Sequence, residues 1–399
     1  MSAIVFIGTG HAAIQCAASL RDLGHSGSIT IIGTENDLPY HRPPNSKKYA
    51  IEGVPADFSL LRAADYYENE KIDLWLGETV SSIDPAGRHV TLDSKKSISF
   101  EKLIIATGSE PRHLPISGVE HALCLYSLQN SRDVYERLKS ADSVAVIGGG
   151  FIGLEIASAA AAAGKEVTVI EAASQILGRS LTPQFAQRIR AIHEAAGIRI
   201  IDSASIDSIS TEGVSTDNGF VDADLVLLGA GSIPRTQLAA SAGLSTSNGI
   251  DVDQHLETSA PGIYAIGDVA CFPYFGGSRR RFESVQNAND QARTLAKTLS
   301  GEPTAYQALP WFWSDQGNIK LQMAGVSQDA DEVVMVEGVQ SPQTAVFCFD
   351  SEDNLCALET INWPAYHALC RKALSDGRVI SRASSWQQIL ISRPPSRNS

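Results

Sequence analysis

Residues 144–171 read VAVIGGGFIGLEIASAAAAAGKEVTVIE. An apolar run short enough for a buried parallel strand runs into Gly148, Gly150 and Gly153, a G-x-G-x-x-G turn. A helix-forming stretch follows, then a second apolar run that ends in Glu171. Each glycine has its own task. The first permits the tight turn, the second lets backbone approach a pyrophosphate, and the third lets helix and strand lie close. The helix N-terminus then presents free N–H groups and the positive end of its dipole to phosphate. Glu171, roughly 20 residues beyond the turn, stands where an acid accepts a hydrogen bond from a ribose 2′-hydroxyl. A 2′-phosphate would face that carboxylate, and Ala172 and Ala173 supply no cation. The stretch therefore reads as a site for NAD rather than NADP.

The chain opens on a second version of the same unit. The strand Ile4–Ile7 leads into Gly8-Thr9-Gly10-His11-Ala12-Ala13, a G-x-G-x-x-A variant in which Ala13 replaces the third glycine. A helix over 14–23 and a strand over 28–32 are expected next, with Glu35 as the candidate ribose ligand. Two further segments echo each other. LIIATGSEPR (103–112) and LVLLGAGSIPR (225–235) both run from an apolar strand into Gly-Ser-x-Pro-Arg, and each closes a segment opened by its own glycine turn. Pro111 and Pro234 bias the residue before them towards extended geometry, as suits a chain leaving a sheet. The expected architecture is α/β, with two Rossmann-like dinucleotide-binding domains, the second inserted in the first, and a small C-terminal α+β domain. The boundaries fall at 1–112 with 236–309, at 113–235, and at 310–399.

Smaller features fill this frame. Residues 65–70 read as helix, and the alternating runs 71–76 and 89–92 suit antiparallel strands. Within 251–270, the segment Gly262-Ile263-Tyr264-Ala265-Ile266-Gly267-Asp268 puts a carboxylate at a strand end. There it can accept hydrogen bonds from sugar-like hydroxyls or cap a following helix. From Pro310 the character changes. PWFWSDQGNIKLQMAG is followed by strand-like runs at 332–336, 344–349 and 355–361 and a helix Pro364–Ser375, while the tail SRPPSRNS (392–399) is expected to be loose.

Composition narrows the function classes. The 399 residues, 43% hydrophobic and 19% charged, suit a soluble globular protein of two or three domains. No apolar run reaches the ~18–20 residues of a membrane span, and the N-terminus lacks the positive region of a signal peptide, so a cytoplasmic location is expected. The net charge of −13 disfavours nucleic acid and anionic membrane surfaces. Cys16, Cys124, Cys271, Cys348, Cys356 and Cys370 form no C-x-x-C pair and no clustered ligand set. Neither a redox dithiol nor a metal site is expected, and buried reduced thiols are.

Taken together, these marks resemble the two-dinucleotide-fold pyridine nucleotide–disulfide reductase superfamily, and within it the NADH-dependent ferredoxin reductases coupled to oxygenases. The broad marks are the two glycine turns, Ala106-Thr107-Gly108 and residues 264–268. The narrower ones are Tyr40-His41-Arg42-Pro43-Pro44 with Ser46-Lys47, Glu283-Ser284-Val285 with Asn287-Ala288, and Pro310-Trp311-Phe312-Trp313-Ser314-Asp315-Gln316. The resemblance implies FAD in the first fold, held at its adenosine half by Gly8, Gly10, Ala13 and Glu35, with Ala106, Thr107 and Gly108 as part of that site. It puts Arg42 and Lys47 at the flavin end or its phosphates and Asp268 at the ribityl chain. It implies NADH on Gly148, Gly150, Gly153 and Glu171, with Glu155 at the nicotinamide carboxamide and Trp313 beside the flavin ring. The catalytic set would be Lys47, Glu155 and Trp313.

Plain alternatives stand beside three of these: an exposed Lys47 next to Lys48, Glu155 as a favourable acid in the helix's first turn, and Trp313 as a core residue. The implied reaction sends a hydride from NADH to flavin N5 and then two electrons, singly, to a [2Fe–2S] ferredoxin feeding a Rieske dioxygenase or a cytochrome P-450. Arg279-Arg280-Arg281, a basic run in an acidic chain, would face the ferredoxin or is simply solvated. The oligomeric state implied is a monomer or weak dimer. The sequence departs from the family pattern at Asn45, where leucine is usual, at Ala13, and at Gly317, where an aromatic is common. An NADH oxidase or peroxidase would carry a cysteine near the first fold, where this chain has residues 42–47 and no thiol. A third reading is an NADH-sensing flavoprotein resembling apoptosis-inducing factors.

Overall fold

The structure, a computed structural model, describes residues 3–55, 57–274 and 277–382; the tail expected to be loose lies outside them. The chain divides into two compact units. The first is Met1–His41, Ala56–Glu110 and Ser232–Ala308, and the second is Arg42–Pro55, Pro111–Gly231 and Leu309–Ser399.

The first unit is built on a parallel sheet in the order Ile263–Ala265, Lys102–Ile105, Ile4–Ile7, Ile29–Gly33, Ile72–Leu76. Its strands are almost continuously apolar because both faces are covered, and Ile4, Phe6, Ile29, Ile31 and Leu103 are fully buried. The helix His11–Asp22 packs against Val285–Leu299. Gly10 serves as its N-cap, so the helix begins three residues earlier than position 14. The run at 71–76 departs from expectation: Ile72–Leu76 pairs in parallel with Ile29–Gly33. It is an edge strand, where exposure admits the polar Lys71 and Asp73 in alternation with Ile72 and Leu74, so the sequence alternates as an antiparallel strand's would. The run His89–Leu92 is antiparallel, between Val80–Asp84 and Ser97–Ser99.

The second unit repeats the plan. Its parallel sheet runs Arg199–Ile201, Glu166–Ile170, Ser143–Ile147, Leu225–Leu228, Leu123–Cys124. In each unit the order from one edge is third, second, first, and then the strand of the echoed Gly-Ser-x-Pro-Arg segment. The two glycine turns agree in detail. Gly8 and Gly148 have φ of +118° and +105°, and the N-caps Gly10 and Gly150 have φ, ψ of −79°, −177° and −81°, −178°. This unit also holds a five-stranded antiparallel sheet, Trp311–Gln316, Ile319–Gly325, Leu355–Ile361, Thr344–Phe349, Glu332–Glu337, with the helix Pro364–Ser375 on it. The helix Phe151–Ala162 packs on the strand Trp311–Gln316, which brings a helix of the nucleotide fold against the C-terminal sheet. Among the described residues no helix is long and apolar enough to cross a membrane.

Candidate functional site

In the first unit, backbone approach explains the glycines. A Cβ on Gly8 would stand 2.2 Å from the carbonyl oxygen of Ala106, whereas one on Gly10 would meet nothing within 4 Å. The first glycine serves the strand crossing and the second leaves the helix N-terminus open to a phosphate. Ala13 is wholly buried, so this copy accommodates a methyl where the other has Gly153. The two ends of the echoed motif meet: Arg235 N donates to the carbonyl of Gly108 at 3.0 Å, and Thr107 Oγ1 to the carbonyl of Arg235 at 3.0 Å. Glu35 accepts from Tyr40 Oη at 2.7 Å. Asp268 sits in the 3₁₀ turn Gly267–Val269, just beyond the strand Ile263–Ala265. Behind it Gln291 is fully buried. Its Oε1 accepts from Gly267 N at 2.7 Å, while its Nε2 finds no partner among the described residues. An orphaned buried donor beside a glycine cradle and a 12-residue helix N-terminus fits a large polar ligand such as FAD.

The basic run is partly spent on the unit's own structure. Arg279 reaches Asp251 and the carbonyls of Val252 and Cys271, and Arg281, 10% exposed, holds Glu283 and the carbonyl of Asp268.

In the second unit the same cradle recurs. A Cβ on Gly148 would lie 2.5 Å from the carbonyl oxygen of Gly229, and one on Gly153 would lie 2.0 Å from that of Gly148. Glu171 closes the loop with both oxygens: Oε2 accepts from Gly149 N at 2.7 Å and Oε1 from Ala173 N at 2.8 Å. Its carboxylate is therefore held at the rim of the glycine turn, as a ribose ligand must be. With no cation at 172 or 173, the donor set fits NADH.

The densest chemistry surrounds Glu155. It lies in the second turn of its helix rather than the first, so the helix-dipole alternative falls away. The side chain is 6% exposed and takes three donors: Ser46 Oγ at 2.5 Å on Oε2, and Ser314 Oγ at 2.6 Å with Lys47 Nζ at 3.0 Å on Oε1. Each carboxylate oxygen therefore has at least one donor, and Oε1 has two. Lys47 is 24% exposed, while Lys48 is 65% exposed and pairs with Glu52, so the two adjacent lysines have different tasks. Arg42 donates to the carbonyl of Tyr126 at 3.1 Å with its guanidinium over that ring. Asn45 is buried, with Nδ2 3.4 Å from the same carbonyl and Oδ1 unpartnered among the described residues. Trp313 is half-buried in a row with Trp311 and Phe312. No spacing in the chain signals that Ser46 and Ser314 converge on Glu155, although Ser46 adjoins Lys47 and Ser314 adjoins Trp313.

Five of the six cysteines are held in surroundings that disfavour the thiolate. Burial pushes the Cys356 thiol up to about 11 and that of Cys370 to about 12, and raises Cys16, Cys124 and Cys348 as well. Such thiols are poor nucleophiles at neutral pH.

Residues 2–292 match the family of pyridine nucleotide-disulphide oxidoreductases, and residues 311–388 match the reductase C-terminal family. Rhodocoxin reductase of Rhodococcus erythropolis is 39% identical over 381 residues, covering 93% of this chain and 89% of that protein. A rubredoxin–NAD(+) reductase of Pseudomonas putida is 36% identical over 371 residues, covering 91% and 96%. Among solved structures, the covalent putidaredoxin reductase–putidaredoxin complex superposes with a TM-score of 0.92 at 32% identity, covering 98% of each chain. With two glycine cradles, a C-terminal sheet and relatives of this kind along its whole length, the chain belongs to the ferredoxin reductases of the pyridine nucleotide-disulphide oxidoreductase family.

Proposed function

We propose that this protein is an NADH-dependent, FAD-containing reductase that passes electrons to a [2Fe–2S] ferredoxin serving an oxygenase. The observation that carries the reading is the repeated nucleotide fold, with glycine turns of the same backbone geometry and an acid, Glu35 or Glu171, just beyond the second strand of each copy. FAD, when bound, takes a hydride from NADH and gives up its two electrons one at a time. The chain's own residues bind and orient. Gly8, Gly10, Ala13, Glu35, Ala106, Thr107, Gly108 and Asp268 hold FAD, and Arg42 serves its flavin or phosphate end. Gly148, Gly150, Gly153 and Glu171 hold NADH, with Glu155 taking the carboxamide. Lys47 supplies positive charge and Trp313 an aromatic face for the flavin. No side chain is required as a nucleophile, in keeping with the suppressed thiols.

The domain boundaries proposed are 112/113, 235/236 and 309/310. The partner is acidic and meets the exposed part of residues 279–281, chiefly Arg279 and Arg280. The relatives named for putidaredoxin and for rubredoxin support an iron-protein acceptor, and the [2Fe–2S] type is our choice between them. A cytoplasmic location, supported by six free cysteines, and a monomer or weak dimer complete the proposal.

The test begins with an absorption spectrum of the purified protein. Oxidised-flavin bands, bleached anaerobically by NADH and far less by NADPH, are expected, followed by rapid NADH-dependent reduction of a [2Fe–2S] ferredoxin. A colourless protein that FAD does not reconstitute overturns the reading, and faster reduction of rubredoxin overturns the choice of partner.

A further inference from the structure

Glu155 is the visible end of a longer buried chain, all of it within the second unit. Ser314 is wholly buried, and Gln316, His193 and Ser158 are 1%, 2% and 7% exposed. Gln316 Nε2 lies 3.1 Å from Ser314 Oγ, Gln316 Oε1 lies 2.8 Å from His193 Nε2, and His193 Nδ1 lies 3.3 Å from Ser158 Oγ. The chain has one consistent direction. A carboxylate only accepts, so Ser314 spends its proton on Glu155 and must itself accept from the Gln316 amide nitrogen. That orientation turns Oε1 of Gln316 towards His193, whose Nε2 therefore carries the proton. Its Nδ1 is left bare to accept from Ser158. Burial holds the His193 pKa below its ordinary value, in keeping with a neutral ring. Every dipole in the row points at Glu155, and such rows reinforce each link.

Three segments far apart in sequence contribute: the helix Phe151–Ala162, the helix Pro183–Ala195 and the strand Trp311–Gln316. A buried polar row of this length is costly unless fully satisfied, and this one is satisfied at each joint. Its terminus is not a structural dead end, since Glu155 also holds Lys47.

We propose that Ser314, oriented by Gln316 and His193, is a positioning residue for Glu155. It fixes the rotamer in which the carboxylate meets the nicotinamide nucleotide, so part of the nucleotide site is set by the C-terminal sheet. The inference rests on the proposed role of Glu155 at NADH. Ser46 holds the other carboxylate oxygen and Lys47 stays on Oε1, so losing Ser314 loosens the carboxylate without releasing the side chain altogether.

The test is calorimetric titration of the flavin-loaded protein with NAD⁺, alongside thermal midpoints. Ser314→Ala is expected to weaken binding about tenfold, the order expected for one hydrogen bond to a charged group. Ser314→Thr keeps the hydroxyl and restores binding. Gln316→Met, one link further back, weakens binding about threefold and serves if Ser314→Ala fails to fold. The double variant Ser314→Ala/Glu155→Gln should bind no more weakly than Glu155→Gln alone, because Ser314 acts only through the carboxylate. If Glu155→Gln weakens binding while Ser314→Ala and Gln316→Met lower only the thermal midpoint, the row is packing and the inference falls. If Glu155→Gln binds NAD⁺ as the parent does, the role of Glu155 falls first and takes the inference with it.

Discussion

Lys47 Nζ stands 3.0 Å from Oε1 of Glu155, and no other counter-charge to that buried carboxylate is found among the described residues. The remaining donors, Ser46 and Ser314, are neutral hydroxyls. Lys47→Met should therefore leave a desolvated anion with hydrogen bonds but no cation, at a cost of about 2–3 kcal/mol in urea unfolding. Lys47→Arg, which keeps the charge, should cost less than half as much. Equal losses for the two variants would mean that the fit of the lysine, and not its charge, is what matters.

The two glycine cradles predict separable defects. Gly8→Ala forces a Cβ to 2.2 Å from Ala106 O at φ +118°, and Gly148→Ala forces one to 2.5 Å from Gly229 O at φ +105°. Neither backbone can yield without reshaping its turn. Gly8→Ala should purify with little or no flavin yet still bind NAD⁺, whereas Gly148→Ala should be yellow and bind NAD⁺ at least tenfold more weakly. Flavin absorbance and NAD⁺ titration read the two independently. Loss of both ligands in either variant would argue against one nucleotide per fold.

Much of this was legible in the chain because glycine turns, terminal acids and apolar strands are local signals. Gly148, Gly150, Gly153 and Glu171 lie within one βαβ unit, and their spacing alone defines the loop that the structure contains. The strands Thr344–Phe349 and Leu355–Ile361 and the helix Pro364–Ser375 likewise match their sequence patterns. The strand Ile72–Leu76 is parallel despite its antiparallel-like sequence, because exposure at a sheet edge admits polar residues between apolar ones. The setting of Glu155 was legible only in part, since the resemblance puts Lys47 and Glu155 in one set without the serines, Gln316 or His193. Ser46, Lys47, Ser314, Gln316 and His193 converge through tertiary packing, and no periodicity in the chain links positions 46, 155, 193 and 314.

Glu171 should decide which nucleotide is accepted. Its two oxygens already anchor Gly149 N and Ala173 N, so the carboxylate shapes the loop in addition to the ribose contact proposed for it. Glu171→Ala should raise the KM for NADH about tenfold, lower that for NADPH, and so narrow the preference from both sides. Adding Ala172→Arg should carry the preference further towards NADPH by supplying a cation for the 2′-phosphate. An unchanged NADH/NADPH ratio in the steady state would remove Glu171 from the ribose site.

The basic run predicts different defects at its two ends, even though Arg279, like Arg281, also makes structural contacts. Arg279 is 39% exposed and Arg281 only 10%, the latter held by Glu283 and the carbonyl of Asp268. Arg279→Glu should lower the thermal midpoint by losing the bonds to Asp251, Val252 and Cys271, and should also raise the KM for an acidic ferredoxin about tenfold at low salt and much less at 0.5 M salt, where the Debye length shrinks to roughly 4 Å. Arg281→Ala should lower the thermal midpoint and flavin retention. A salt-independent effect of Arg279→Glu would point away from electrostatic docking.

Acid should weaken the second unit through His367. Burial and the nearby Arg371 lower its pKa from 6.5 to about 4, while its Nε2 faces the carbonyl of Met323 and its ring packs near Trp311. The unfolded chain binds the proton more readily, so His367 contributes its full stability above pH 6.5, loses it as pH falls from 6.5 towards 4, and changes no further below that. The contribution at stake is on the order of 3 kcal/mol. Buried Glu359, held by Thr182, works in the opposite sense: its pKa is raised by burial, so acid relieves a strain there. The raw pH curve therefore mixes the two, and the informative measurement is the difference between parent and His367→Gln in urea at pH 7 and pH 4.5. That difference should shrink markedly at the lower pH, and a constant gap would show that His367 contributes by packing rather than by its neutral ring.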